Sequence, residues 1–327
     1  MSELALAMFA AASDAHLVGE PRSSRYAAFR AAFDERETLA GLHERGLRFV
    51  GRSTDAFPTL LRAIHDPPPG LFLRGAAEPE LLSRPAVAIV GARACSAYGR
   101  QVARRLGREL AAAGLVVVSG MARGVDAEAH RGALEAGGAT VAVLGCGIDR
   151  DYPAAHRALA AEIAVRGLVV SEYAPGIDPA PWRFPARNRI VAGLCAATAV
   201  IEARERSGAL ITADFALEEG REVFAVPGEI TSSLSAGSNA LLRLGATPLT
   251  RPEDVLESFG LDAPVQPGAL VGEVASRVLA RIGEAAAGAD ELARSTGLSA
   301  EQLAVALTEL ELAGVVMEED GVYRASA

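Results

Sequence analysis

The sequence predicts a Rossmann-like, doubly wound and mostly parallel α/β sheet, with a small helical domain before it and a winged-helix domain after it. Three observations lead there. Short all-apolar runs such as Ala86–Val90 recur from Pro85 to Leu249, as parallel strands buried on both faces require. Each run is followed by a turn-forming segment and then a helical pattern, and this β-α alternation is the signature of a doubly wound sheet. Residues 268–327 change to helices followed by a hairpin-like VVMEEDGVYRA.

In chain order, Leu4–Ala12, Ser24–Ala32 and Glu37–Arg45 read as short helices and Leu47–Val50 as a strand. A helical turn from Phe57-Pro58 to Ile64 precedes the rigid Asp66-Pro67-Pro68-Pro69-Gly70 and a strand at Leu71–Arg74. The rhythm then sets in. Strands are predicted at Ala86–Val90, Leu115–Ser119, Thr140–Leu144, Leu168–Val170, Ala197–Ile201, Glu222–Val226 and Ala246–Leu249. The intervening helices fall at Tyr98–Ala113, Val125–Ala136, Pro153–Arg166, Asn188–Leu194, Ala209–Glu219 and Ser238–Leu244. Arg251 to Gly268 is polar and Pro-bearing, a connector. Leu270–Ile282, Asp290–Ser295 and Ser299–Ala313 with the hairpin make the winged helix. The domains divide as 1–66, 67–255, a linker at 256–267, and 268–327.

Bulk properties narrow the function. With 327 residues and half of them hydrophobic, the chain supports a large core. No run of eighteen apolar residues and no basic, signal-like N-terminus occurs, so a cytoplasmic protein is expected. Cys95, Cys146 and Cys195 are scattered and odd in number, which fits small core residues better than disulfides or structural zinc. No HxxxH or HExxH spacing suggests a metal, and His130, four residues after Asp126, reads as orienting a helix N-terminus. Every basic residue is Arg, so lysine chemistry is excluded. The net charge of −9 argues against a polyanion partner until it is divided by region. Residues 85–250 carry 17 Arg against 16 acids, whereas residues 268–327 carry 4 against 10. The tail helix that would enter a groove carries Glu301, Glu309 and Glu311 and no base, so this domain is expected to meet protein rather than DNA.

The chemistry-bearing residues collect at predicted strand ends. Gly91 with Arg93 and Ser96, Ser119-Gly120 with Arg123-Gly124, Gly145-Cys146-Gly147, Ser171-Glu172, and Glu202 with Ser207-Gly208 and Thr212 all fall there. Any one is an ordinary βα turn. Five on one edge predict a phosphate-lined crest, because backbone N–H groups at helix starts attract anions. In Pro181–Arg189 the cations Arg183, Arg187 and Arg189, with Asn188, interleave with Trp182 and Phe184. Arginine forks beside aromatic faces are the composition of a single-strand nucleic-acid site. Neither GxGxxG nor GxxxxGK[ST] is present, which disfavours dinucleotide and P-loop cofactors. No cofactor is expected.

Together VAIVGARACSAYG, SGMARGVDAEAH, TVAVLGCGIDRDYP, FPARNRIVAGL, VIEARERSGALITADFALEEGREVFAVPGEI and AGSNALLRLGA resemble the DNA-processing protein A (DprA/Smf) family over about Ala56–Thr250. One departure is Ala92, where that family usually has Ser. The resemblance implies a non-enzymatic, homodimeric single-stranded DNA-binding protein that protects incoming DNA. It would load RecA recombinase onto that DNA in natural transformation, including strands coated by single-strand-binding protein. It also implies contacts from Arg93, Ser96, Arg183, Phe184, Arg187, Asn188, Arg189, Ser207 and Gly208, to which the crest reading adds Gly91, Arg123, Gly124 and Thr212. The layout is similar as well to cytokinin-activating phosphoribohydrolases. Ser207–Thr212 lacks the glycines and Glu of their PGGxGTxxE loop and offers only Asp214 nearby.

Overall fold

The structure, a computed structural model, describes residues 2–13, 21–261, 272–319 and 321–325. It divides into two compact units, Met1–Ala263 and Pro264–Ala327. The first is built on strands β1 (Leu47–Gly51), β2 (Gly70–Arg74), β3 (Ala86–Val90), β4 (Val116–Ser119), β5 (Thr140–Val143), β6 (Leu168–Ser171), β7 (Ala197–Val200), β8 (Glu222–Ala225) and β9 (Thr247–Pro248). Its helices are α1 (Glu3–Ser13), α2 (Ser24–Ala32), α3 (Glu35–Glu44), α4 (Thr59–Arg62), α5 (Ala97–Ala112), α6 (Val125–Glu135), α7 (Arg157–Arg166), α8 (Arg183–Gly193), α9 (Gly208–Glu218), α10 (Ala236–Arg243) and α11 (Glu253–Ser258). Among the described residues, no helix is long and apolar enough to cross a membrane.

The nine strands run in the order β1-β2-β6-β5-β4-β3-β7-β8-β9, parallel from β6 to β9 and antiparallel at β1 and β2. From β3 the chain winds outward to β4, β5 and β6, then returns to lay β7, β8 and β9 on the other side. The strand order therefore reverses between β3 and β7, where open α/β sheets hold their ligands. The all-apolar runs serve two cores at once. Ala86, Ala88, Val90, Val116 and Val118 face α4, α8 and α9, while Val87, Ile89 and Val117 face α5 and α6. That alternation is the strand's period of two with both faces covered.

Two predicted boundaries move. The expected break after residue 66 separates β1 from β2, yet these strands pair from Leu47↔Arg74 to Gly51↔Gly70, and β2 joins β6. The antiparallel extension lies outside the βα rhythm, so periodicity could not attach it. Part of the expected connector is helix α11, whose Val255 and Leu256 are buried and whose Asp254 accepts from the N–H groups of Thr250 (2.8 Å) and Arg251 (3.1 Å). The rest of that connector, from residue 262, lies outside the described residues.

The second unit comprises α12 (Glu273–Glu284), β10 (Ala287–Gly288), α13 (Ala289–Thr296), α14 (Ala300–Leu312), β11 (Val316–Glu319) and β12 (Val322–Ala325), with a small sheet ordered β10-β12-β11. Val278, Ile282, Leu292, Leu303, Leu307 and Leu310 form its core. Ser299 and Gln302 close a capping box at the start of α14. The winged-helix architecture is present.

His130 does not pair with Asp126. It points from α6 into the sheet, where its Nδ1 lies 2.7 Å from Thr140 Oγ1. The Thr140 hydroxyl donates its proton to Val117 O, also at 2.7 Å, so His130 Nδ1 must carry the hydrogen it donates. Burial, reinforced by nearby His156, Arg187 and Arg131, holds the His130 pKa down to about 3. Between the unfolded value near 6.5 and about 3, the unfolded chain binds a proton that the native chain refuses. The stability associated with neutral His130 is thus complete above pH ~6.5 and declines on acidification, by roughly 1.4 kcal/mol per pH unit. Urea unfolding at pH 7, 6 and 5 should show wild type losing its advantage over His130→Gln as the pH falls. A gap independent of pH would contradict the neutral assignment.

Candidate nucleic-acid interface

The arginine-rich segment is helical from Arg183, not from Asn188. Pro185 occupies its first turn, where a missing N–H costs nothing because that donor has no intrahelical partner. This register sorts the side chains. Phe184, Arg187, Asn188 and Val191 follow the 3.6-residue repeat along one face and line a hollow of about 220 Å³ at the sheet's switch point. Gly91 and Arg93 after β3, Gly120 and Ala122 after β4, and Ser207, Gly208, Ala209 and Thr212 at the start of α9 complete it. A larger adjoining hollow, about 440 Å³, shares Arg93, Gly120, Ala122, Phe184 and Arg187 and adds Ala94, Met121, Arg123, Tyr152 and Pro153. The two form one cleft.

Arg93 is exposed, and its guanidinium carbon lies 5.6 Å from the centroid of the Phe184 ring, a cation–π arrangement. Gly145 makes room beneath that ring, since a Cβ there would stand 2.8 Å from Phe184 Cδ1. Opposite, Ser207 caps α9 by accepting from Ala209 N at 3.3 Å, and Asn188 Nδ2 donates to Gly208 O at 3.0 Å. Exposed Gly208 leaves the positive end of an eleven-residue helix open. An exposed guanidinium facing a helix N-terminus can hold an oxyanion.

Arg187 forms the floor. It is buried, and Nη1 donates to Gly120 O at 2.7 Å and to Val143 O, joining the carboxyl ends of β4 and β5. Burial lowers its pKa, opposed chiefly by Asp126, but a guanidinium remains charged. Asp126 also lines the cleft and accepts from Ala122 N at 3.1 Å. Burial raises its pKa against the pull of Arg187.

Of the predicted site residues, Gly91, Arg93, Arg123, Phe184, Arg187, Asn188, Ser207, Gly208 and Thr212 come together along this cleft. Four lie elsewhere. Ser96 caps α5, accepting from Gly99 N at 3.0 Å, and its own N–H (2.8 Å) and hydroxyl (2.5 Å) go to Glu202. Gly124 supports the cleft from behind, with φ of 76° and its Cβ position 2.4 Å from Ala92 O. Arg183 stacks over Tyr173 and Trp182 at 5.2 and 5.0 Å and donates to Asp178 O. Arg189 points away from the cleft, because residues two apart stand about 200° apart around a helix. It donates two buried hydrogen bonds to the Glu172 carboxylate (2.8 and 2.7 Å) and a third to Asp66 (3.0 Å). Of the five junctions, Glu172 is thus held in an internal ion pair, Ser171 Oγ donates to Cys146 O (2.6 Å), and Gly145 makes room beneath Phe184.

Gly120, Ala122 and Asp126 are further lining residues, with Tyr152 and Pro153 from the GCGIDRDYP loop. The position of that loop after β5 was the signal for Tyr152. Asp214, the carboxylate nearest the phosphoribohydrolase pattern, is exposed on α9 and absent from the cleft lining. All three cysteines are free and buried, and burial raises each thiol, Cys146 to about 11.

A Rossmann-like, mostly parallel sheet joined to a winged helix defines a class of two-domain α/β proteins. The family model for DNA recombination-mediator protein A matches residues 48–260, and that for the DprA winged helix domain matches residues 262–321. The chain belongs to the DNA-processing protein A (DprA/Smf) family. It is 47% identical over 205 residues to DNA processing protein DprA of Streptococcus pneumoniae, covering 63% of this chain and 72% of that one. It is 38% identical over 298 residues to protein Smf of Escherichia coli, covering 88% and 79%. The crystal structure of the S. pneumoniae protein superposes with a TM-score of 0.66 at 39% identity, over 78% of this chain and 91% of that one. DNA processing protein A from Helicobacter pylori, whose structure is described for its single-stranded DNA binding mode, gives 0.58 at 32%, over 64% and 95%. Family membership places the chain in DNA processing and recombination.

Proposed function

We propose that this protein binds single-stranded DNA in the switch-point cleft, protects it, and loads a RecA recombinase onto it during natural transformation, acting as a cytoplasmic homodimer. The strand contacts are Gly91, Arg93, Arg123, Phe184, Arg187, Asn188, Ser207, Gly208 and Thr212. The observation that carries this reading is Arg93 poised over Phe184 beside the open N-terminus of α9. It pairs a cation and helix N–H groups for a phosphate with an aromatic ring for a base, and neither requires a particular sequence. The central region's near balance of charge is no obstacle, because local potential steers a polyanion. The DNA-binding relative from H. pylori supports the ligand class.

Arg93→Ala should weaken oligo-dT binding roughly tenfold, as loss of a charge-assisted contact does, and reduce the salt slope by about 0.7. A gel-shift titration at several salt concentrations reads both. The same variant should slow RecA filament assembly on strands coated with single-strand-binding protein. Unchanged affinity and slope would exclude this cleft; wild type that fails to accelerate assembly would remove the loading role alone.

A further inference from the structure

Glu202, just past the carboxyl end of β7, is buried and lies outside the lining of both hollows. Its carboxylate is turned toward the loop that carries Arg93. Oε2 accepts from Ser96 N at 2.8 Å, and Oε1 accepts from the Ser96 hydroxyl at 2.5 Å. Its backbone carbonyl accepts from Ala92 N at 2.7 Å. One residue thus holds both ends of Ala92–Ser96, the segment that leads from β3 into α5. Because β3 and β7 are the neighbours between which the strand order reverses, this clamp spans the switch point. Ser96 in turn accepts from Gly99 N at 3.0 Å, which ties the first turn of the sixteen-residue α5 to the same carboxylate. Gly99 permits the approach. A Cβ there would stand 2.4 Å from Oε2, the oxygen that holds Ser96 N.

We propose that Glu202 is the positioning residue for Arg93, fixing the loop backbone so that the guanidinium stands ready at the cleft. The inference rests on the strand-binding reading and adds to it how the exposed cation is held before a ligand arrives. Ordering a long side chain and its loop on binding costs conformational entropy, and a loop pinned at both ends has met that cost in folding. Charge alone assigns Glu202 the opposite effect. A carboxylate near a polyanion site repels the ligand, so its removal would tighten binding. The two roles differ in sign.

The test measures fluorescein-labelled oligo-dT binding at several salt concentrations for the full chain, Glu202→Ala, Glu202→Gln, Gly99→Ala, Arg93→Ala and the double variant Glu202→Ala with Arg93→Ala. Glu202→Ala should bind about tenfold more weakly and lose about 0.7 of the salt slope, as though Arg93 were gone, although the protein has become less negative. Glu202→Gln, whose amide oxygen can still accept from Ser96 N, should recover most of that loss. Gly99→Ala places a better helix former in α5 and removes no ligand contact, yet it should bind more weakly because its Cβ displaces Oε2. With Arg93 already replaced by Ala, the Glu202 substitution should cost nothing further. Glu202→Ala that binds as tightly as wild type, or more tightly, overturns the proposal. Losses that add in the double variant overturn it too, by assigning Glu202 to the stability of the sheet. Should Glu202→Ala not fold, Gly99→Ala decides, and wild-type affinity in it overturns the proposal. Arg93→Ala with unchanged affinity overturns the strand-binding reading, and the positioning role with it.

Discussion

Arg189→Ala should destabilise the sheet-bearing unit by about 3–5 kcal/mol and leave the strand affinity of the folded protein unchanged. The Arg189 and Glu172 side chains are only 6% and 7% exposed, and the guanidinium engages both Glu172 oxygens and Asp66. Removing it leaves the buried Glu172 carboxylate without its guanidinium, which costs more than the net worth of the intact pair. Desolvation works against the Arg189 charge, and its carboxylate partners more than offset that, raising its pKa. Urea denaturation gives the stability change, and oligo-dT binding at low temperature, where the variant is folded, gives the affinity. Weakened binding with an unchanged unfolding midpoint would return Arg189 to the DNA site. Arg189→Met combined with Glu172→Gln should recover part of the loss, because it removes the uncompensated charge.

Gly124→Ala should damage stability and binding together. Gly124 has φ of 76° with ψ of −127°, a region that residues bearing a Cβ rarely enter, at a cost on the order of 1–3 kcal/mol. The new carbon would stand 2.4 Å from Ala92 O and 2.7 Å from Arg93 O, backbone atoms that cannot rotate aside. Relief requires parting the Arg93 loop from the start of α6, where Val125 N donates to Ala92 O at 3.3 Å. We expect a loss of roughly 3 kcal/mol or more, combining conformational strain with backbone displacement. Oligo-dT affinity should fall at least as far as in Arg93→Ala, since Arg93 is displaced. A melting temperature within a degree of wild type, with normal binding, would show that the two loops move independently.

Much of this architecture was legible in the sequence. The short apolar runs located β3 to β8, and the residues following them supplied most of the cleft. The helix expected from Asn188 begins instead at Arg183, because Pro185 in its first turn gives up no intrahelical hydrogen bond. Once α8 starts at Arg183, the three guanidiniums separate: Arg183 to Tyr173 and Trp182, Arg187 to the floor, and Arg189 to Glu172. Ser96 also departs from its expected role. A serine beginning a helix beside a predicted anion site can serve a ligand or a cap, and here Gly99 and Glu202 occupy its hydrogen-bonding capacity.

The sequence by itself determined the succession of strands and helices, the crest of glycine, serine and arginine at strand ends, and the acidic winged-helix unit. These are local properties, set by hydrophobic period and by residue type at turns. Only the tertiary structure decided which cations face the cleft. Arg189 is drawn away by Asp66, 123 positions distant in the chain, and Arg187 is held beneath the cleft by Gly120 O, 67 positions distant. Arg93, exposed over Phe184, remains to meet a ligand. A residue's type states what it can bind; the partners that the fold brings within reach decide whether that capacity is still available.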